Sequence, residues 1–414
     1  MKILYLCPDA GIPVLGLKGA AVHVRELVSA LGRAGHNVAL ATQLVCKSPW
    51  ETPAPAPGAL FQIHPSPNHA AAVQALKQFN ELIGVENSIP GELRRVLYNR
   101  DLEVELRRRF EADPPDLIYE RASLYSTAGV SLARALHRPL FLELNAPLAI
   151  EQSAYRATGF GPLAAQAERW TLTHADAVLA VSAELREHAI VAGVDPGRVH
   201  VIPNGVNTRL FCPGHRDEAL RGRLGLNGAG PVIGFVGGLR PWHGVEVLPE
   251  LLENLAEVQP AVRLIIVGDG PLRQPLENDF KSKGISSNVI FTGLVPHEEV
   301  PALIRQFDIA VAPYPQTDHA FYFSPLKLFE YMACAVPVVA AALGQINEVL
   351  RTGETGMVYP AGDVGALVKC CHELLADGAL RTRLGQSAAG LVRDRFTWDH
   401  NAARITALAQ EFIK

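Results

Sequence analysis

ILYLC at 3–7, GIPVLGLKGA at 11–20, AAVHVRELVSALGRAG at 20–35 and NVALATQ at 37–43 read in order as strand, glycine-bearing loop, helix and strand. Val24, Leu27, Val28 and Leu31 recur at spacings of three and four, which gives the helix one apolar stripe. Gly35 follows the last periodic residue and is expected at C′. The opening apolar run carries one Lys and stops at Pro8 and Asp9, too short for the apolar region of a secretion signal. It reads as a buried first strand.

The same alternation continues outward. DLIYE (116–120), PLFLELN (139–145), AVLAVS (177–182) and RVHVIPN (198–204) are short apolar runs set between helical stretches. Such runs predict a parallel, doubly wound sheet buried on both faces. A proline-rich segment, SPWETPAPAPGALFQIHPSP (48–67), interrupts the pattern and is expected to be a surface excursion. A second series starts near residue 230 with PVIGFVG, RLIIVGDG, NVIFTG, DIAVAPY and VPVVAA, with a helix between each strand and the next. Turns at Asn204-Gly205 and Pro213-Gly214 mark the boundary. The expected organisation is α/β, two tandem Rossmann-like domains at 1–205 and 206–390, with a helical segment at 391–414 returning to the first. Ligands of such sheets bind outside the carboxyl ends of the strands.

With 414 residues, 48% of them hydrophobic, the chain has material for two cores of ordinary size. The formal charge of −4 argues against a nucleic-acid partner, which requires a basic surface. None of the six cysteines falls in a CxxC or Cys/His spacing, so neither zinc nor a disulfide framework is expected. Adjacent Cys370 and Cys371 read as small core residues. No run of 18 apolar residues occurs, and a reducing cytoplasm suits the composition.

The segment FYFSPLKLFEYMACAVPVVAA (321–341) carries the chemistry. Ser324 followed by Pro325 predicts an N-cap and first helical position. The amides of Leu326 and Lys327 would then open an anion site. Lys327 at the third helical position opposes the helix dipole unless an anion is bound, which makes it a functional clue. Glu330, one turn on, is placed to accept hydrogen bonds from a diol such as ribose. The plainer reading is a solvated Lys–Glu pair.

At these residues the sequence resembles glycosyltransferase family 4, whose fold is GT-B. The resemblance spans LGLKGAAVHVRELVSALGRAGHNVALAT (15–42), VIPNGVNTRLF (201–211), GFVGGLRPWHGVEVLPEL (234–251), LIIVGDGPLR (264–273), VIFTGLVPHEEVPALIRQFDIAVAPYP (289–315) and SPLKLFEYMACAVPVVAA (324–341). It implies that Glu330 is the second glutamate of the E-x7-E motif, holding the donor ribose, and that main chain around Leu326 binds the diphosphate. It implies a nucleobase cradle around Gly293, Leu294 and Val295, with Gly268, Asp269 and Gly270 beside it. Gly19, in the loop before the first helix, resembles the glycine that admits the diphosphate.

Two departures stand out. The first glutamate of E-x7-E falls at Tyr322, and the family's Arg and Lys after the first strand of the second domain fall at Gly238 and His243. Arg240 lies nearby, and Arg240 with Lys327 are the candidates for stabilising a departing diphosphate. No acidic metal cluster sits at the equivalent strand ends, so no metal and no cofactor is expected beyond a nucleotide-diphosphate sugar, UDP-sugar first. Retention of configuration is implied by the resemblance alone.

On the N-terminal side Glu120 and Arg121 follow DLIY, and Glu143 and Asn145 lie in FLELNAP. Glu143 or Glu120 is the candidate for orienting an acceptor hydroxyl, with His23, in the first turn of the first helix, and Arg121 and Asn145 near it. The acceptor itself, whether glycan, lipid or small metabolite, is not specified. RRVLYNRDLEVELRRR (94–109) carries six arginines and reads as a solvated helix with i,i+4 ion pairs, the other reading being a peripheral contact with anionic lipid at the inner membrane face. A dinucleotide oxidoreductase is poorly supported, since the first loop reads GLKGAA and the second strand ends without an acid. A nucleotide-sugar epimerase and a non-catalytic relative that kept the fold remain open.

Overall fold

The computed structural model describes residues 1–47, 56–155, 158–228 and 230–413; side chains of 154 and 155 lie outside it. The first elements along the chain are β1 (Lys2–Cys7), α1 (Gly19–Arg33), β2 (Asn37–Thr42), β3 (Ala59–Gln62), α2 (Pro67–Ile83), α3 (Ile89–Phe110) and β4 (Leu117–Arg121). Next come α4 (Ala128–Leu136), β5 (Leu140–Leu144), α5 (Leu148–Tyr155), α6 (Gly161–His174), β6 (Ala177–Ala180), α7 (Ala183–Val191) and β7 (Val199–Val201). The second series runs α8 (Glu218–Arg223), β8 (Val232–Val236), α9 (Leu248–Val258), β9 (Arg263–Val267), α10 (Arg273–Ser282), β10 (Val289–Gly293), α11 (Val300–Ile304) and β11 (Ile309–Ala312). It ends with α12 (Leu326–Ala333), β12 (Val338–Ala341), α13 (Gly344–Val349), β13 (Met357–Tyr359), α14 (Val364–Ala376) and α15 (Gly378–Arg395), before α16 (Trp398–Phe412).

Two compact units result. One comprises Met1–Pro203 with Trp398–Lys414, the other Asn204–Thr397. The first holds a seven-stranded sheet in the order β3-β2-β1-β4-β5-β6-β7, the second a six-stranded sheet in the order β10-β9-β8-β11-β12-β13. Every pairing within them is parallel. Each sheet therefore reverses its winding once, between β1 and β4 and between β8 and β11, which is where α/β sheets hold ligands. In the second unit β8, β9, β11 and β12 are apolar and buried almost throughout, as strands covered by helices on both faces must be.

Within the proline-rich segment, 48–55 lies outside the described residues, but Ala59–Gln62 is not a surface excursion. It is β3, paired with β2 from Ala39↔Ala59 to Thr42↔Gln62. Its half-buried residues suit an edge strand. The C-terminal stretch is not one helix: α15 stays with the second unit, and Phe396–Thr397 separates it from α16. In the first unit α16 lies along α1, with Arg33 bonded to Asp399 at 2.7 Å and His36 to Thr406 at 2.7 Å. Gly35 has φ of +87°, as its expected place at C′ requires. In α3, Arg108 and Arg109 pair with Glu105, Arg100 with Glu103 and Arg107 with Glu111. Among the described residues no helix is long and apolar enough to cross a membrane.

Candidate active site

In the second unit the site grows from the ends of β8 and β9. Gly237 follows β8 at φ of +146°, and Gly268 follows β9 at +135°. A Cβ on Gly268 would stand 2.1 Å from the Gly237 carbonyl oxygen, and one on Gly237 would stand 2.7 Å from Lys327 Nζ. Two backbones and a lysine amine thus meet where no side chain fits. Leu239 donates its amide to Asp269 O at 3.1 Å, which ties the loop after β8 to the turn after β9.

Helix α12 supplies the charge. Its N-cap is Pro325, with no side-chain cap and no acid in the first turn, so no local side chain answers its leading amides. Ser324 is not the cap that its sequence context suggests. Its Oγ donates to Gln345 Oε1 at 2.6 Å and accepts from Asn204 N at 2.8 Å, and these tertiary bonds outcompete a local one. Lys327 consequently occupies the second helical position, one earlier than expected. Tyr331 pins the helix to β8, its hydroxyl accepting from Val236 N at 2.6 Å.

The Lys327 amine is no solvated partner of Glu330. Its residue is buried, and Nζ lies 4.1 Å from the centroid of the Phe235 ring and 5.3 Å from that of Tyr314. Nζ has no hydrogen-bond partner among the described residues. Burial lowers its pKa to about 7, against the opposing pull of Glu330. His243 stands beside it as a neutral group. Its Nδ1 donates to Gly238 O at 2.6 Å, and burial, then the charges of Lys327 and Arg240, hold its pKa down to about 3. Arg240 is half-buried, its guanidinium 5.5 Å from the Trp242 ring.

Glu330 accepts from His297 Nε2 at 3.0 Å, a contact that sequence reading missed. His297 lies in a loop, where no periodicity points to it, 33 positions before its partner. Tyr322 is buried and stacked on His319 at 5.6 Å, with Phe323 at 4.5 Å. Phe321 in the same run meets Tyr314 at 4.9 Å, so an aromatic wall stands where the E-x7-E motif has its first carboxylate. Asp269 accepts from Gly270 N at 2.7 Å; Leu294 is exposed and Val295 half-buried.

The first unit brings a different group together. In register with Arg121 of β4 is Glu143 of β5, and with Tyr119 is Tyr5 of β1, so these side chains share one face. Glu143 Oε1 receives Arg121 Nη1 at 2.8 Å and Asn145 Nδ2 at 2.5 Å, with His23 Nε2 at 2.9 Å; Oε2 receives the Tyr119 hydroxyl at 2.6 Å. Burial favours the neutral acid, but His23, Arg121 and Tyr119 outweigh it and hold the carboxyl well below its usual range. Such a carboxylate is a poor base. Gly19 opens α1 rather than preceding it, which puts His23 in the second turn, buried with its ring 4.8 Å from that of Trp398.

Glu120 does not join this group. Strand alternation turns it to the opposite face, where it is fully buried and accepts from the Ser126 hydroxyl. Burial pushes its pKa up to about 7. Among the described residues no group of three or more His, Cys, Asp or Glu could hold a metal ion.

Comparison with known proteins accords with this layout. Residues 17–210 match the family described as Glycosyltransferase Family 4, and residues 230–377 match that described as Glycosyl transferases group 1. The GDP-mannose-dependent alpha-(1-6)-phosphatidylinositol monomannoside mannosyltransferase of Mycolicibacterium smegmatis is 30% identical over 285 residues, covering 68% of this chain and 74% of that protein. The D-inositol 3-phosphate glycosyltransferase of Acidothermus cellulolyticus is 30% identical over 302 residues, covering 69% of this chain but only 63% of that protein. In fold, sucrose-phosphate synthase from Thermosynechococcus elongatus is similar with a TM-score of 0.73 at 20% identity, over 99% of this chain and 98% of that one. So is Anabaena HepE, solved with UDP and glucose, with a TM-score of 0.73 at 20% identity over 99% and 100% of the two chains.

Proposed function

The chain belongs to glycosyltransferase family 4, a hexosyltransferase of GT-B type, and we propose that its second unit binds a nucleoside-diphosphate sugar whose hexosyl group passes to a hydroxyl acceptor. One observation carries the donor reading: the buried amine of Lys327, without a hydrogen-bond partner, beside the uncapped start of α12. A buried cation in that state is costly and is relieved by an anion. The helix amides add fixed positive potential to the same place.

As the anomeric C–O bond breaks, its electron pair moves onto the diphosphate and positive charge develops on the sugar; the acceptor oxygen then bonds the anomeric carbon and its proton passes to the departing diphosphate oxygen. Lys327 and the amides of α12 stabilise the departing oxygens, with Arg240 adding a second cation from the rim. His243, being neutral, adds none; it shapes the loop through Gly238. Glu330 holds the ribose, Gly268, Asp269, Leu294 and Val295 border the nucleobase, and Tyr322 and Ser324 line the sugar end. No protein-held metal takes part in this scheme, and configuration at the anomeric carbon is retained. Uridine diphosphate is the first candidate nucleotide; guanosine diphosphate is the second, since the mannosyltransferase relative is named for it. On the first unit, Arg121 and Asn145, fixed by Glu143, contact the acceptor.

The test is calorimetric titration with uridine, guanosine, adenosine and thymidine diphosphates and their hexose conjugates. Saturable binding of one nucleotide, weakened about tenfold or more in Lys327→Met and in Glu330→Ala, supports the reading. Binding of none by folded protein refutes it. Incubation of the productive donor alone, followed by NMR at the anomeric carbon, separates transfer from epimerisation.

A further inference from the structure

Glu330 is held from behind. His297 sits in the loop between β10 and α11 and sets Nε2 3.0 Å from Glu330 Oε1, with both side chains nearly nine-tenths buried. Its imidazole packs 5.0 Å from the ring of Phe211, which is itself buried. An imidazole facing a carboxylate at that distance must carry a hydrogen on Nε2, so the contact fixes which nitrogen donates as well as the rotamer. One carboxylate oxygen is thereby engaged. The other is left to accept.

A glutamate side chain has three rotatable bonds, and ordering it costs rotamer entropy each time it must meet a ligand. A partner that fixes it beforehand moves that cost from binding to folding. The same loop begins at Leu294 and Val295, so the residues proposed to border the nucleobase and the residue that orients Glu330 lie within a few positions of one another. We propose that His297 is a positioning residue that presets Glu330 to receive the ribose hydroxyls of the donor nucleotide. This rests on the nucleotide-sugar reading given above.

The experiment measures affinity of the intact protein for whichever nucleoside diphosphate it binds, and for the 2′-deoxy and 3′-deoxy counterparts. Wild type should prefer the ribonucleotide by roughly tenfold or more, the worth of a hydrogen bond to a charged group. In His297→Ala and His297→Phe that preference should fall to within about twofold, while the affinity for the deoxy nucleotides stays near the wild-type value. His297→Gln, whose amide nitrogen can still donate, should restore most of the preference. The phenylalanine variant fills the space beside Phe211, so it serves if the alanine variant does not fold. Full discrimination in a folded, donor-less variant overturns the inference and makes His297 a packing residue. A wild type that binds the nucleotide but does not distinguish the deoxy forms overturns it too, because Glu330 then does not hold the ribose. If wild type binds no nucleotide at all, the donor reading itself falls and takes this inference with it.

Discussion

Replacing Lys327 by Met should make the second unit more stable and the protein a worse nucleotide binder at once. The amine titrates near 7 when folded and near its ordinary 10.5 when unfolded, because burial disfavours its charge. Below the folded value both states are protonated and the folded state bears the full cost of the buried charge. Between 7 and 10.5 the unfolded chain binds the extra proton, so wild-type stability rises with pH across that window. The cost at pH 6.5 is on the order of 5 kcal/mol by linkage. Met matches the length of the stem but forfeits the attraction to the Phe235 ring, about 1–2 kcal/mol. The net gain is therefore about 3 kcal/mol, or roughly 6–12 °C in the melting temperature of a domain this size. At pH 10 the gain should vanish. Affinity for the nucleoside diphosphate should fall about tenfold or more at pH 7. Thermal unfolding at pH 6.5 and 10, with titration of the nucleotide at pH 7, checks all three. A stability gain of equal size at both pH values, or none, would refute the uncompensated buried cation; unchanged affinity would refute its pairing with phosphate.

Glu143→Gln should destabilise the first unit by about 3–5 kcal/mol, because the Arg121 charge stays buried without its counter-charge, while nucleotide affinity of the second unit stays as in wild type; urea unfolding and calorimetry read the two effects. Glu120→Gln should do the opposite at high pH. The folded pKa of about 7 exceeds the unfolded 4.5, so wild-type stability declines as pH rises between those values, by on the order of 3 kcal/mol. Gln should erase that decline, leaving the variant more stable than wild type at pH 8 and near it at pH 5 in denaturant titrations. Gly268→Ala should cost several kcal/mol or abolish folding of the unit, roughly 3 or more, since its Cβ would meet the Gly237 backbone at 2.1 Å; circular dichroism melting reads this directly.

The α/β class and most strands were legible because parallel strands covered on both faces must be apolar runs, as in VLA of β6 and IAVA of β11. Two strands escaped. β3 is four residues after a run of prolines, two half-buried between two exposed, and β13 is three residues long, too short for any periodicity to register. Lys327 was legible because a cation in the first turn contradicts the helix dipole, a conflict visible in the sequence itself. Its burial among rings was not. Ser324 misled for the converse reason: Ser before Pro is a sound local cap, and only Asn204 and Gln345, 120 and 21 positions away, reveal its other use. The face on which Glu120 and Glu143 lie depends on strand phase, which a two-residue shift in boundaries leaves intact and a one-residue shift inverts.

The assignment of α16 to the first unit has a consequence for synthesis on the ribosome. Residues Asn204–Thr397 are translated between the first 203 residues and the helix that covers α1. At bacterial or eukaryotic elongation rates that interval lasts roughly 10–40 s. During it the nascent first unit has its sheet but not its last helix, so Trp398 is absent from beside His23 and Asp399 from beside Arg33. The second unit, continuous in sequence, can fold ahead of the unit that began before it. The order of completion is thus the reverse of the order of initiation, and the side of α1 that α16 covers stays open until the last residues are made.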